Sequence, residues 1–342
     1  MHNSLNPPGG GSRRASGHNV MRTMSAAALI ADIGGSNSRF ALVRPGGRPE
    51  RMRIVDNDAV PDLPAAITNY LAEEDVAPPP LAVLAVASSV TGDEFALTNR
   101  PGWRYRRDEL ARACGFRRLH ALNDFEALAW ALPMLGRADT RPIGASRALA
   151  DGPKVVLGPG TGLGVAGLLP QGDLWTVAPT ESGHTALGPR HADEFPIFER
   201  ILRAHGPVSV EHVLSGSGMQ RLASAMGVRG DSHQILRGAQ AGDADALRVA
   251  RLFVRLLGRF AGDMALVFKA TGGVYLAGGV GRGLGALLDE PNFRDAFEAH
   301  EPYRALMEAI PTLLITYDEP GLLGCAAVAS RLLATMDLDA RA

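Results

Sequence analysis

The sequence predicts a two-lobed α/β protein, and three observations carry that expectation. A chain of 342 residues, 46% of them hydrophobic, has material for about two domains of roughly 150 residues each. Two stretches share one grammar: ALIADIGGSNSRFALV and KVVLGPGTGLGVAGLL each run from an apolar segment through a glycine turn into a second apolar segment. Such an echo in the two halves of one chain suggests a duplicated α/β unit that brings one hairpin from each half to a shared cleft. Between and beyond the hairpins, short apolar runs alternate with segments of helical period.

The elements follow in order. The opening residues, MHNSLNPPGGGSRRASGHNV, are rich in Gly, Pro, Ser and Asn without periodicity, and read as part of a disordered extension over 1–26. Arg13 and Arg14 lack the apolar segment that an export signal needs behind them, so export is not expected. After the first hairpin come a helix from Leu63 to Glu73, a loop at Pro78 to Pro80 and a buried-type strand from Leu81 to Ser88. The strand RLHALN then runs into the helix FEALAWALPML, and Gly136 to Gly152 reads as the connection between lobes. Beyond the second hairpin, Leu247, Ala250, Phe253, Leu257, Phe260 and Met264 fall on one face of a single long helix from Asp245 to Lys269, and that face is core. A strand VYLAGGV, a helical segment, a strand LLIT and a helix opened by Pro320 complete the chain.

Charge and composition exclude several classes. With 35 basic and 36 acidic residues, the chain offers no cationic field for a phosphate backbone or a lipid surface, so neither nucleic acid nor membrane is an expected partner. No window approaches the roughly 18 uninterrupted apolar residues of a membrane span. Lys154 and Lys269 are the only lysines, and neither stands in a Walker A string. Two cysteines, Cys114 and Cys325, make neither a disulfide framework nor a cysteine-rich zinc site, which fits a reducing, cytoplasmic setting.

A glycine turn after a strand lets backbone N–H groups approach a polyphosphate, because no Cβ intervenes. Taken singly, each turn reads first as a plain tight turn. A dinucleotide fingerprint is the rival, but it requires a helix directly after the glycines, and here a strand follows. Gly278 and Gly279, after VYLA and before a helix, are suited to an adenine ring or a ribose. Asn123 and Asp124 close a strand and open a helix; by spacing alone Asp124 reads as an ordinary N-cap. On the same terms Glu211 reads as a solvated helix residue and His184 as a turn histidine. Glu181 and His184 lack further ligands at zinc spacing.

The ordered set DIGGSNSRFALV, TGDEFALTN, LNDFEALAWALPML, GPGTGLGVAGLL, ESGH, VEHVLSGSG, LAGGV and PGLLG resembles the bacterial glucokinase family, within the hexokinase and actin-like kinase superfamily, from about Ala27 to Leu333. The resemblance implies a two-lobed actin/hexokinase-like (ribonuclease H-like) fold with the active site between the lobes. The lobes are expected at 27–135, joined by the C-terminal helix 320–336, and at 136–319. By resemblance, Ala31, Asp32, Ile33, Gly34, Gly35 and Ser36 bind ATP phosphates, and Asp32 holds Mg²⁺ through water. Gly160, Thr161 and Gly162 close over the phosphates from the other lobe, with Gly278 and Gly279 at the nucleotide. The resemblance makes Asp124 the catalytic base and Asn123, Asp124, Glu181, His184 and Glu211 the binders of the sugar hydroxyls. Three carboxylates repel a sugar that already carries phosphate, so the expected substrate is D-glucose or a related neutral hexose. The alternatives are a kinase for another neutral hexose and a sugar sensor without catalysis; a homodimer is left open. This chain departs from the family pattern at Ser88 and Ser89, where a proline turn is usual, and at Thr180 and Ser182, where glycines are common. The related zinc-loop repressors and kinases are disfavoured by the cysteine count, and the polar stretch before Ala27 leaves no room for a helix-turn-helix.

Overall fold

The computed structural model describes residues 28–88, 90, 92–98, 100–145 and 150–339. The extension expected over 1–26 lies outside them. The first sheet is assembled from β1 (Ala28–Ile33), β2 (Asn37–Val43), β3 (Glu50–Asp56), β4 (Leu81–Val86) and β7 (Arg118–Asn123), in the order β3-β2-β1-β4-β7. A separate hairpin, β5 (Glu94–Leu97) with β6 (Arg100–Arg106), stands between β4 and β7 in the chain. The second sheet is built from β8 (Thr140–Pro142), β9 (Lys154–Pro159), β10 (Leu163–Gln171), β11 (Leu174–Thr180), β12 (Val274–Leu276) and β13 (Thr312–Ile315), in the order β11-β10-β9-β12-β13-β8.

The two orders are the same unit twice. Each begins with a three-stranded antiparallel meander whose first strand pairs in parallel with a fourth strand, which in turn pairs in parallel with a fifth. The echo of glycine hairpins in the sequence is therefore an echo of whole sheets. Strand β8 is the addition: it caps the second sheet inside the segment read as a plain connection, and three residues are too few for strand periodicity to announce it.

Alternation along the strands decides what covers each face. In the first sheet Leu29, Ala31, Ile33, Leu84 and Val86 face α1 (Leu63–Glu73) and α2 (Arg107–Cys114). Ala28, Ile30, Val83 and Ala85 face the opposite way, onto α12 (Pro320–Asp339). Strand β4 is buried at all six positions, as a parallel strand covered on both sides should be. The outer face of the second sheet packs on the long helix α8 (Ala244–Val267) and its neighbours α6 (Gly216–Ala225) and α7 (Ser232–Gln240). Around this core stand α4 (Phe195–His205), α5 (Val210–Val213), α9 (Gly279–Leu284), α10 (Pro291–Glu298) and α11 (Arg304–Ala309).

Helix α3 (Asp124–Ala131) lies between the sheets. Its Ala127 packs with α12 beneath the first sheet, while Ala129 joins Val156, Ala166 and Tyr275 of the second. The approach to α12 is backbone on backbone: a Cβ at Gly324 would stand 2.5 Å from the carbonyl carbon of Ala127 and closer to its oxygen. On the other side, a Cβ at Gly164 would overlap the Phe125 ring. Two glycines, one from each flank, thus let α3 sit at the centre of the molecule.

Candidate active site

The step from β7 into α3 fixes the first candidate pair. Asn123 pairs in register with Val86 and has extended backbone, φ −65° and ψ 152°, so the helix begins after it. Its side-chain oxygen accepts from the N–H of Phe125 at 2.9 Å and of Glu126 at 3.4 Å, while its amide donates to the Ser88 carbonyl at 3.0 Å. The N-cap is therefore Asn123, which corrects the assignment of that role to Asp124. Asp124 is the first helical residue, and its carboxylate accepts from the Phe125 N–H at 3.0 Å. Burial pushes its carboxyl above the usual range, the Phe125 N–H and the Asn123 side chain oppose the shift, and the charge of Glu181 adds to it.

Asp32 reaches the same region from β1. Burial, together with the charge of Asp124, pushes its carboxyl up to about 6, against the pull of Arg39, its cross-strand neighbour. The α12 N-terminus presses close: a Cβ at Gly321 would lie 2.8 Å from an Asp32 carboxylate oxygen. Arg39 is itself paired with Glu319 at 2.8 Å. No group of three His, Cys, Asp or Glu side chains converges as a metal cage among the described residues. What Asp32 offers a divalent cation is one crowded carboxylate beside a second. That arrangement suits a hydrated Mg²⁺, which keeps most of its waters and takes one or two protein carboxylates plus phosphate.

The first glycine turn is clamped from behind. Asn57, fully buried, donates to the carbonyls of Gly34 at 2.9 Å and Gly35 at 3.2 Å, accepts from Ser38 Oγ at 2.6 Å, and gives its backbone N–H to Ser36 O at 2.8 Å. Arg100 adds a bond from Nε to Gly35 O at 3.2 Å. With Thr161 of the second turn, Gly34, Gly35, Ser36, Asn37, Arg39, Asp58, Arg100 and Gly102 line a cleft of about 830 Å³. The two glycine turns therefore face one space. Sequence reading missed Asn57, Arg39 and Arg100; Arg39 lies in the strand that follows the first glycines, and the other two lie outside either glycine signal.

In the second turn Gly160 N–H donates to Gly162 O, and Gly216, opening α6, donates to Gly160 O, both at 2.8 Å. Glu211 accepts from the Leu163 N–H at 2.8 Å, and a Cβ at Gly162 would lie 2.5 Å from the same carboxylate oxygen. Glu211 is thus half-buried against the turn rather than a solvated helix residue. Gly278 has φ +85°, and a Cβ there would meet Pro159 O at 2.7 Å, so only glycine fits; at Gly279 the space is open.

Glu181 and His184 are exposed, with Nε2 of the histidine 4.0 Å from the Glu181 carboxylate. Their loop departs from glycine-rich geometry by a hydroxyl chain: Ser182 Oγ donates to Thr180 Oγ1 at 2.9 Å, which donates to Val165 O at 2.8 Å. Farther along, buried Glu194 accepts from Arg190 N–H at 2.8 Å and from Arg259 at 3.1 Å, tying the loop to α8. The charge of Asp124 thus acts on Asp32 and that of Glu181 on Asp124, and Gly34–Ser36 line one cleft with Thr161. Glu211 stands at the turn and His184 at the outer edge.

The glucokinase family profile matches residues 29–332. The glucokinase of Allorhizobium ampelinum is 39% identical over 310 residues, covering 88% of this chain and 91% of that one. The bifunctional protein glk of Burkholderia orbicola is 37% identical over 308 residues, and the chain spans only 48% of its length; the chain thus covers about half of such relatives. The crystal structure of a glucokinase from an Antarctic psychrotroph superposes with a TM-score of 0.81 at 31% identity, covering 89% of this chain and 98% of that one. A family match that runs through both glycine turns and the Asn123–Asp124 step makes this chain a member of the glucokinase family.

Proposed function

We propose that the chain transfers the γ-phosphoryl group of ATP to the 6-hydroxyl of D-glucose. One observation carries the reading: Asp124, at the start of a helix held between two sheets, shares its electrostatic environment with Asp32 of the first glycine hairpin and Glu181 of the sugar loop. Phosphoryl donor and sugar would meet at that carboxylate.

Asp124 aligns the 6-hydroxyl and accepts its proton as the new O–P bond forms and the bond to the leaving ADP oxygen breaks. A loose transition state asks more of alignment than of base strength. Alignment is what α3 supplies, since Asn123 fixes its first turn and Phe125 rests on Gly164. Asn123, Glu181, His184 and Glu211 hold the sugar hydroxyls, and the carboxylates accept the stronger, charge-assisted bonds. Residues 31–36 and 160–162 present backbone N–H groups to the phosphates, and Gly278 and Gly279 border the nucleoside. Asp32 would hold Mg²⁺ through water; bound there, the ion neutralises charge on the phosphates. Lobes at 27–135 with 320–336, and at 136–319, would close on glucose and exclude water as a competing acceptor. A cytoplasmic site of action fits the two buried, unbridged cysteines.

The test is ADP release with Mg²⁺ and ATP over a panel of free sugars. Glucose-dependent release that falls by several orders of magnitude in Asp124→Ala, with an unchanged melting profile, supports the reading. A variant of near-normal rate removes Asp124 from the chemistry.

A further inference from the structure

The phosphate cleft must offset several negative charges on a nucleoside triphosphate, and the chain has few cations placed to do so. Lys154 lies over the Trp175 ring at 4.3 Å, and Lys269 follows the end of α8. Among the described residues that line the cleft, the cations are Arg39 and Arg100. Arg39 is drawn toward carboxylates, paired with Glu319 and facing Asp32. Arg100 stands where the two glycine turns face each other.

Its guanidinium is already oriented. Nε donates to the carbonyl of Gly35, inside the turn itself, at 3.2 Å; the group lies over the Trp103 ring at 5.0 Å; and one terminal nitrogen is held by Asp58. The Asp58 side chain is 81% exposed, whereas that of Arg100 is 23% exposed. An ion pair with so exposed a partner contributes little, so the guanidinium exchanges it readily for a stronger anion. A planar fork fixed at one edge and stacked on an indole is pre-organised for phosphate oxygens.

Resting on the kinase reading above, we propose that Arg100 is a polyphosphate-binding residue of this chain, with Asp58 as the resting counter-ion that the nucleotide displaces. Two consequences of opposite sign follow. Removing the guanidinium weakens binding of any ligand that carries the polyphosphate. Removing the Asp58 charge strengthens it, because a competitor and a repelling carboxylate leave the cleft together.

Calorimetric titration of the full chain, with Mg²⁺ present, uses ATP, inorganic tripolyphosphate and adenosine as separate probes. In Arg100→Gln the Kd for ATP and for tripolyphosphate rises on the order of tenfold to a hundredfold, the value of a charge-assisted bond, and that for adenosine stays fixed. Arg100→Lys recovers part of the loss, and Asp58→Asn lowers the ATP Kd several-fold. An unchanged ATP Kd in Arg100→Gln overturns the proposal, as does equal weakening of ATP and adenosine, which would mark a damaged turn. A wild-type chain that binds neither ATP nor tripolyphosphate overturns it too. Glucose-dependent ADP release, measured in parallel on the wild type, tests the kinase reading separately: its absence sinks that reading while the binding comparison still decides the role of Arg100.

Discussion

Replacing Gly324 by alanine isolates what holds helix α3, and with it Asp124, in place. In an ordinary helix this change gains about 1 kcal/mol, since glycine is the poorer helix former. Here the new methyl would stand 2.5 Å from the carbonyl carbon of Ala127, and real Cβ atoms essentially never come within 3.0 Å of a neighbour. Because the carbonyl oxygen of Ala127 is nearer still, more than an ångström must be found between α12 and α3, and neither partner is a flexible side-chain tip. Overpacking of that kind costs about 1–3 kcal/mol, enough to cancel the propensity gain and leave the variant less stable. If α3 yields, Asp124 moves with it, and a displacement approaching 1 Å in an aligned site costs on the order of a hundredfold in rate. Urea denaturation and steady-state ADP release read the two effects together. Gly281→Ala in α9, where the added methyl meets only Leu314 at 3.9 Å, is the control and should be neutral or stabilising. A Gly324→Ala protein as stable and as active as its parent would refute the claim that α3 is fixed by this contact.

Three further outcomes follow from the carboxylates. Asp32 titrates near 6 in the folded chain against an ordinary value of 3.8. The native state thus holds its proton more tightly than the unfolded state, and stability falls as pH rises from about 4 to 6. Asp32→Asn should remove a cost on the order of 3 kcal/mol at pH 7.5 and little at pH 4, while losing activity; a stability difference that is flat with pH contradicts this. In Glu181→Gln, loss of a charge that raises the Asp124 pKa should move the acid limb of the kcat profile to lower pH, and an unmoved limb separates the two groups. Glu211→Gln should raise the KM for glucose with a milder loss of kcat, because the Leu163 N–H keeps an acceptor; an unchanged KM removes Glu211 from the sugar.

What the sequence discloses is what local chemistry decides. The two hairpins were legible because a glycine turn between apolar runs has few other uses, and the long helix because six apolar residues keep its period. The helix cap was misplaced by one residue, since Asn and Asp cap equally well, and only the pairing of Asn123 with Val86 ends the strand there. The hairpin of β5 and β6 went unread because Pro101 and Gly102, both poor strand formers, lie inside β6. Asn57 and Arg100 were invisible for a different reason. Each acts on Gly35 from far along the chain, 22 and 65 residues away, and nothing local marks an asparagine as a clamp or an arginine as a cleft residue. Nor does a run of alanines in α3 say that both of its sides are buried by glycines elsewhere.

Helix α12 has a consequence for how the molecule comes into being. Ala28, Ile30, Val83 and Ala85 bury one face of the first sheet against Leu322, Cys325, Ala326 and Ala329. On a ribosome the last strand of that sheet, β7, precedes α12 by roughly 200 residues, a delay on the order of ten seconds or more. Through that interval the sheet has one oily side without its lid, while the second sheet, made later, is covered on one face by helices within its own stretch of chain and on the other by α3, which has already been made. The half that begins first is therefore the half that must be finished last, and a nascent chain stalled before Pro320 would present an apolar β-surface to whatever chaperone or neighbour it met.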